Sequence, residues 1–450
     1  MSVASDLRLA WLLTHGADRL ERRRAALTAA GAAVATWFAL PAVALASVQG
    51  QYHFTYGHGL LDQPGTRHGI VAGLLLLLVP LLGFLGQCAR IGAVHRDRRL
   101  AGLRLAGAGP RQVRRIAALE AGFACLAGTL AGFVVFAALL PAVGWTPPGV
   151  AWPGLVLVVL VIPVLAALVS AVALRRVIAS PLGHVRRERP RRGPRPLTAL
   201  LLPALAVALG VALLMTHGSR TGIAGLPLFV LGTVVLTGAG SIWVAGASAR
   251  ATGRRLGRRT GNPAVLIAAA RLQEDPWAAA RSHAAVVLVT IVGVGMVGVR
   301  RVLVADLHDI QRHGSTAAPM DYYTFGLDLS SGAVLTALVI SLAALAVGTA
   351  ESLSTRRRAL AAQVAAGVPR RILTRTLLLE TALPLAPALV LATLGGTAIH
   401  IAYAVTSGQG VPWALPLLVP VGVYAACILA AATALPLLRR SVHPALLRTA

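Results

Sequence analysis

Apolar residues gather along this chain in ten runs of about 20 residues, the length at which a helix crosses roughly 30 Å of hydrocarbon. The runs lie near 25–47, 69–89, 117–141, 152–174, 197–216, 226–247, 283–304, 332–350, 377–400 and 411–438. Each predicts a membrane-spanning helix, because a backbone in lipid must satisfy its own N–H and C=O groups. The polar stretches between the runs alternate in character: one set is amphipathic and rich in Arg, the other short, with His, Asp, Trp and Tyr. Ahead of the first run stand 24 residues. That lead and the length of the run are both too great for a cleavable signal, so the run is expected to persist as the first transmembrane helix.

Charge turns the alternation into a topology. The Arg-rich stretches, 1–24, 90–116, 174–196, 248–282, 351–376 and 439–450, hold 37 of the 42 basic residues and leave only Arg67, Arg220, Arg300, Arg301 and Arg312. Basic residues collect beside cytoplasmic helix ends, so these stretches and both termini are expected in the cytoplasm. The same bias accounts for a net charge of +27 with no nucleic acid as partner, the arginines facing the headgroups of the lipid bilayer. A composition of 56% hydrophobic and 13% charged residues agrees with lipid rather than water as the solvent.

All 42 basic residues are Arg, and the missing Lys excludes whole chemistries. A P-loop needs its Lys on the nucleotide phosphates, and Schiff-base catalysis needs an amine. If this protein uses ATP, another chain must hydrolyse it. Cys88, Cys125 and Cys427 lie in or beside apolar runs, where Cys serves as a small hydrophobe. They imply no disulfide, no metal and no nucleophile. The expectation is a chain with no catalytic site and no cofactor of its own.

Two cytoplasmic stretches repeat. An offset of 260 aligns 91–120 with 351–380 without a gap and makes ten of the thirty positions identical, including Arg96/Arg356, Arg98/Arg358, Gly107/Gly367, Arg111/Arg371 and Glu120/Glu380. Identities in loops, outside low-information apolar runs, mark an internal repeat. The ends agree as well: "ALRRVIASPL" follows the fourth run and "PLLRRSVHPAL" the tenth, and an amphipathic approach with Trp and Arg precedes the first and the seventh. The predicted fold is all-α, with ten helices arranged 4+2+4: a four-helix repeat over 1–190, a linker and central pair over 191–250, and a second four-helix repeat over 251–450. Each repeat begins and ends in the cytoplasm, so the two are parallel rather than inverted. The outer loops at 48–68 and 305–331 are the longest, and neither is long enough for a folded domain.

The repeated motif is a short basic helix, Leu-Arg-x-x-Gly-Ala, further basic residues and a Glu opening the next membrane helix. It reads "LRLAGAGPRQVRRIAALE" at 103–120 and "VAAGVPRRILTRTLLLE" at 364–380, where Gln363 and Val364 replace the Leu-Arg. With two copies at equivalent places, the chain resembles the FtsX-like permease family, the MacB-type membrane subunits of ABC transporters. Its ten-helix form is similar to the bacitracin-exporter-type permeases, without their large extracellular domain. The resemblance implies a bacterial plasma-membrane permease whose cytoplasmic loops press on a separate ABC ATPase, two copies per chain. Its task would be to export or extract an amphipathic drug, peptide or lipid, or alternatively to transmit a conformational signal to a partner protein. On this resemblance the docking residues are Arg96, Arg98, Leu100, Leu103, Arg104, Gly107 and Arg111, with Arg356, Arg358, Leu360, Gly367 and Arg371 in the second copy.

The residues carry a docking role on their own physics. Leu100, Leu103, Ala106 or Gly107 and Val113 fall near helical spacing and form an apolar stripe flanked by Arg. Such a stripe suits a membrane surface or a groove on a partner. Gly107 and Gly109, with Pro110, are expected to end one short helix and turn the chain into another. Glu120 and Glu380 are read as helix-start acids, favoured by the helix dipole without a proton relay. Arg300 and Arg301, late in the seventh run, either snorkel to the outer headgroups or line a lateral cavity and meet an anionic lipid or substrate. His53, His58, Asp62, His68, Asp306, His308, Asp309 and His313 populate the outer loops without a recognised ligand spacing, so no metal is assigned. Gly128-x-x-x-Gly132 has the form of a helix-packing motif.

Overall fold

The computed structural model describes residues 3–15, 19–54, 57–78, 81, 84–85, 88, 102, 105, 107–178, 226–312, 320–411 and 414–436. Among them every regular element is a helix: α1 Val3–His15, α2 Arg19–Ala46, α3 Pro64–Leu76, α4 Pro110–Val143, α5 Ala151–Ile178, α6 Leu226–Arg259, α7 Pro263–Glu274, α8 Pro276–Arg312, α9 Met320–Thr355, α10 Arg357–Ala365, α11 Arg370–Ser407 and α12 Ala414–Ala432. Seven of these, α2, α4, α5, α6, α8, α9 and α11, are long and apolar enough to cross a bilayer, and α12 holds a shorter apolar stretch, Pro416–Ala432. The second expected span is described in part, and the fifth, 197–216, lies outside the described residues.

Several helices outrun their apolar runs. At 34 and 38 residues, α4 and α11 measure about 50–57 Å at 1.5 Å per residue, against roughly 30 Å of hydrocarbon. Both begin some seven residues before the apolar run that announced them, at Pro110 and Arg370. In the second repeat the expected pair of short helices is therefore one short helix, α10, followed directly by the membrane helix α11. On the other side, α8 continues to Arg312 and α9 starts at Met320, so most of the expected loop at 305–331 is helix.

The chain divides into two compact units, Met1–Pro190 and Arg191–Ala450. In the first, α2, α4 and α5 pack around Leu40, Ala44, Phe136 and Leu155, with α3 against α2 and α1 against α4. Lipid tails are as apolar as the helices, so close backbone approach rather than hydrophobic burial must hold such a bundle. Gly128 and Gly132 supply it: a Cβ on Gly128 would stand 2.0 Å from the Ala29 carbonyl oxygen, and one on Gly132 2.8 Å from that of Ala33.

In the second unit α6, α8 and α11 share a core of Ala245, Ala280, Val287, Ile291, Ala388, Ala392 and Ile399. A second cluster joins α8, α9, α11 and α12 through Val286, Leu345, Leu385, Leu389, Val423 and Cys427. Ala388 and Ala392 are the counterparts of Gly128 and Gly132 at the offset of 260, so small residues line the seam between the first and third helices of both repeats.

Candidate functional site

Each repeat turns a corner at an aligned glycine. Gly107 has φ +94° and Gly367 φ +89°, the left-handed region that costs a residue with Cβ about 1–2 kcal/mol. At the second corner the bonding is a Schellman motif: the Val368 N–H donates to the Gln363 carbonyl at 3.0 Å and the Gly367 N–H to that of Val364 at 2.9 Å. Beyond each corner the next helix starts at once. Gly109 caps α4 with Pro110 at its first position, and Pro369 caps α11. Pro suits these places because the first helical N–H groups have no intrahelical acceptor.

Around the second corner the side chains separate into two faces. Leu353, Leu360 and Leu373 form a buried cluster with Ala434, flanked by Val364 and Val368. Leu360, expected to dock, is 6% exposed and holds α10 to its own chain. Val113, the last residue of the apolar stripe in the first copy, is fully buried, as is its counterpart Leu373. What faces outward is the corner itself, with Ala365, Ala366, Gly367, Pro369, Arg370 and Arg371 exposed. In the first repeat Gly107, Gly109 and Arg111 are exposed. Leu105, absent from the sequence-based set, is 91% exposed. Only its place in the corner, two residues before Gly107, could have flagged it. Arg358 lies in α10, whereas Arg96, Arg98, Leu100, Leu103 and Arg104 lie outside the described residues.

The two aligned acids are not helix-start acids. Glu120 and Glu380 sit nearly three turns inside α4 and α11, beyond the reach of the terminal dipole, which fades within the first turn. Ion pairs hold them instead. Arg24 of α2 donates from Nη2 to Glu120 Oε1 at 3.4 Å with both side chains buried. Arg356, which caps α10, donates from Nη1 to Glu380 Oε2 at 2.9 Å.

Further ties join the approach helices to the same long helices. Asp6 of α1 accepts from Gln112 Nε2 at 2.9 Å and meets Arg115 at 2.8 Å, while Trp11 stands edge-on to Phe123, with ring centroids 5.7 Å apart. In the second repeat the Thr376 hydroxyl donates to the Ala264 carbonyl of α7 at 3.1 Å. Asp6 escaped the sequence reading because its partners stand over a hundred residues away.

Arg300 pairs with Asp328 of α9, and α8 runs on for three turns past it, so the pair Arg300/Arg301 does not mark a helix end. Arg67 is buried and donates to the carbonyls of Leu61 and Val48 at 3.1 Å each and of Gly50 at 2.6 Å. His53 and Asp62 contact each other at 3.0 Å, and no metal-binding group of His, Cys, Asp and Glu occurs among the described residues.

A many-helix membrane protein built as two repeats, each turning a glycine corner into a membrane-crossing helix, belongs to the class of polytopic permease subunits. The FtsX-like permease C-terminal family matches the chain twice, at residues 70–182 and 331–441, displaced along the chain by nearly the same interval as the aligned loops. This chain belongs to the FtsX-like permease family, and is thereby a membrane permease subunit of an ABC-type system, whose ATP is hydrolysed by a cytoplasmic ABC ATPase. No curated protein matches it.

Proposed function

We propose that the corners at 96–115 and 356–375 are the docking points for two copies of that ATPase, and that their movement drives the membrane helices to export or extract an amphipathic substrate at the outer leaflet. The observation that carries this reading is the shared corner: two glycines at one repeat position, both left-handed, each followed without interruption by a helix long enough to reach from cytoplasm through bilayer. A push on the corner then acts on a rod instead of a loop. Leu105, Gly107 and Arg111 form the contact surface in the first repeat, and Ala365, Gly367, Arg370 and Arg371 in the second. The first surface presents a leucine where the second presents an alanine, so the second grips less tightly.

The test is affinity purification of the tagged permease in mild detergent, followed by ATPase assays in vesicles. A P-loop ATPase at two copies per permease is the expected companion. Replacing Gly107 and Arg111 together with Gly367 and Arg371 should uncouple ATP hydrolysis from the permease, and unchanged coupling would sink the reading. A second reading, a signalling subunit, is favoured by the outward continuation of α8 to Arg312 and α9 from Met320, a helical surface for an extracytoplasmic protein. ATPase stimulated only by such a protein, and by no amphipathic compound, would select it.

A further inference from the structure

Two features of the second repeat lie close together, and the second of them, a pair of prolines, is absent from the aligned stretch of α4. The Arg356 guanidinium, at the junction of α9 and α10, reaches across to Glu380 of α11, closing a triangle whose interior is the Leu353, Leu360 and Leu373 cluster. Four residues beyond Glu380, α11 carries Pro384, and three further on Pro387. A proline inside a helix donates no N–H, so the carbonyls of Glu380 and Leu383 lose their intrahelical partners and the rod is weakened there. In α4 the only internal proline is Pro141, near the far end.

We propose that residues 356–383 form a rigid elbow, clasped by the Arg356–Glu380 ion pair, which swings on a hinge at Pro384 and Pro387 against the membrane half of α11. Arg356 and Glu380 are positioning residues: they keep α10 and the first turns of α11 as one body, so that displacement of the corner arrives at the prolines instead of dissipating at Gly367. The contrast with the first repeat follows from the same reasoning. There Glu120 meets Arg24 of α2, and no proline interrupts α4 before Pro141, so α4 has no hinge at the matching place and a push travels along it. One repeat thus transmits by translation and the other by bending. The inference takes the docking reading as the source of the push, but the clasp and the hinge are properties of the chain alone.

The experiment is therefore done on the full-length permease in nanodiscs without its ATPase, with Cys88, Cys125 and Cys427 replaced by Ala and spin labels on introduced cysteines. Labels at Ala359→Cys and Arg375→Cys report the elbow. Their distance distribution should be narrow, broaden in Glu380→Gln and in Arg356→Gln, and narrow again in the reciprocal exchange Arg356→Glu with Glu380→Arg. Labels at Ala365→Cys and Thr406→Cys span the hinge, and their distribution should contract when Pro384→Ala and Pro387→Ala are combined. A narrow elbow distribution in both single charge variants overturns the clasp, as does a reciprocal exchange no narrower than they are. An unchanged span in the proline double variant overturns the hinge. Neither readout involves the ATPase, so failure of co-purification would count against the docking reading alone.

Discussion

The two repeats share their corner and part company a few turns later. Gly107 and Gly367 adopt the same backbone conformation, yet among the described residues the acids thirteen residues on, Glu120 and Glu380, meet arginines from different elements: Arg24 of α2 in one repeat, Arg356 at the start of α10 in the other. Duplication preserved what a corner needs locally and left the tertiary ties free to diverge. The difference teaches that an aligned charge can keep its place and its need for a partner while the element supplying that partner changes, because at the membrane edge any nearby arginine relieves the cost of burying a carboxylate.

The largest test of this comparison is to remove one acid at a time. Glu120→Gln leaves Arg24 buried against a neutral group and should cost about 3–5 kcal/mol. Glu380→Gln should cost about 1.5–3 kcal/mol, since Arg356 remains partly solvated. Thermal unfolding of the purified permease in detergent ranks the two, and equal losses would erase the distinction between the clasps.

Two arginines away from the corners offer the next contrast. Arg67 is buried and gathers three carbonyls of its own loop, so Arg67→Gln should destabilise by about 1.5–3 kcal/mol. Arg300 and Asp328 form an exposed pair, and Arg300→Gln should shift stability by about 0–1 kcal/mol. A large loss from Arg300→Gln in the same assay would mean that the α8–α9 extension is held by that pair and not by its helical packing.

At the helix seam, Gly128→Ala places a methyl against the Ala29 carbonyl and should cost about 1–3 kcal/mol. The reverse change at its counterpart, Ala388→Gly, should cost about 1–2 kcal/mol, from backbone entropy and the loss of a buried methyl. Melting temperatures that fell equally would show the α2–α4 seam to be no tighter than the α8–α11 seam.

The last test concerns what the repeats share. Gly107→Ala and Gly367→Ala should each cost about 1–2 kcal/mol. Asn at either position should recover part of the loss, because it tolerates the left-handed conformation. Urea titration of the four variants would sharpen the comparison if the two corners respond alike, and break it if only one responds.

Much of the candidate site was legible before any coordinates. The corners follow from Gly-x-Gly-Pro and Gly-x-Pro, whose backbone preferences act within a few residues. The helix starts were misplaced because hydropathy stops at the first arginine, whereas the helix goes on to the nearest cap, Gly109 or Pro369. Reading Glu120 and Glu380 as helix-start acids inherited that displacement. Leu360 was assigned to a partner because periodicity reports that a stripe is apolar but not which surface covers it.

By itself the sequence determined the all-helical membrane class, the family, the repeat and its corners. Each of these is set by partition into lipid, by residue conformational preference or by similarity along the chain, and none requires knowing what stands beside what. Tertiary structure alone decided that Arg24 and not a helix dipole answers Glu120, that Ala29 abuts Gly128, and that Leu360 turns inward while Leu105 is left in solvent. Those outcomes depend on segments tens of residues apart meeting at a few ångströms, and no local pattern in the chain encodes such a meeting.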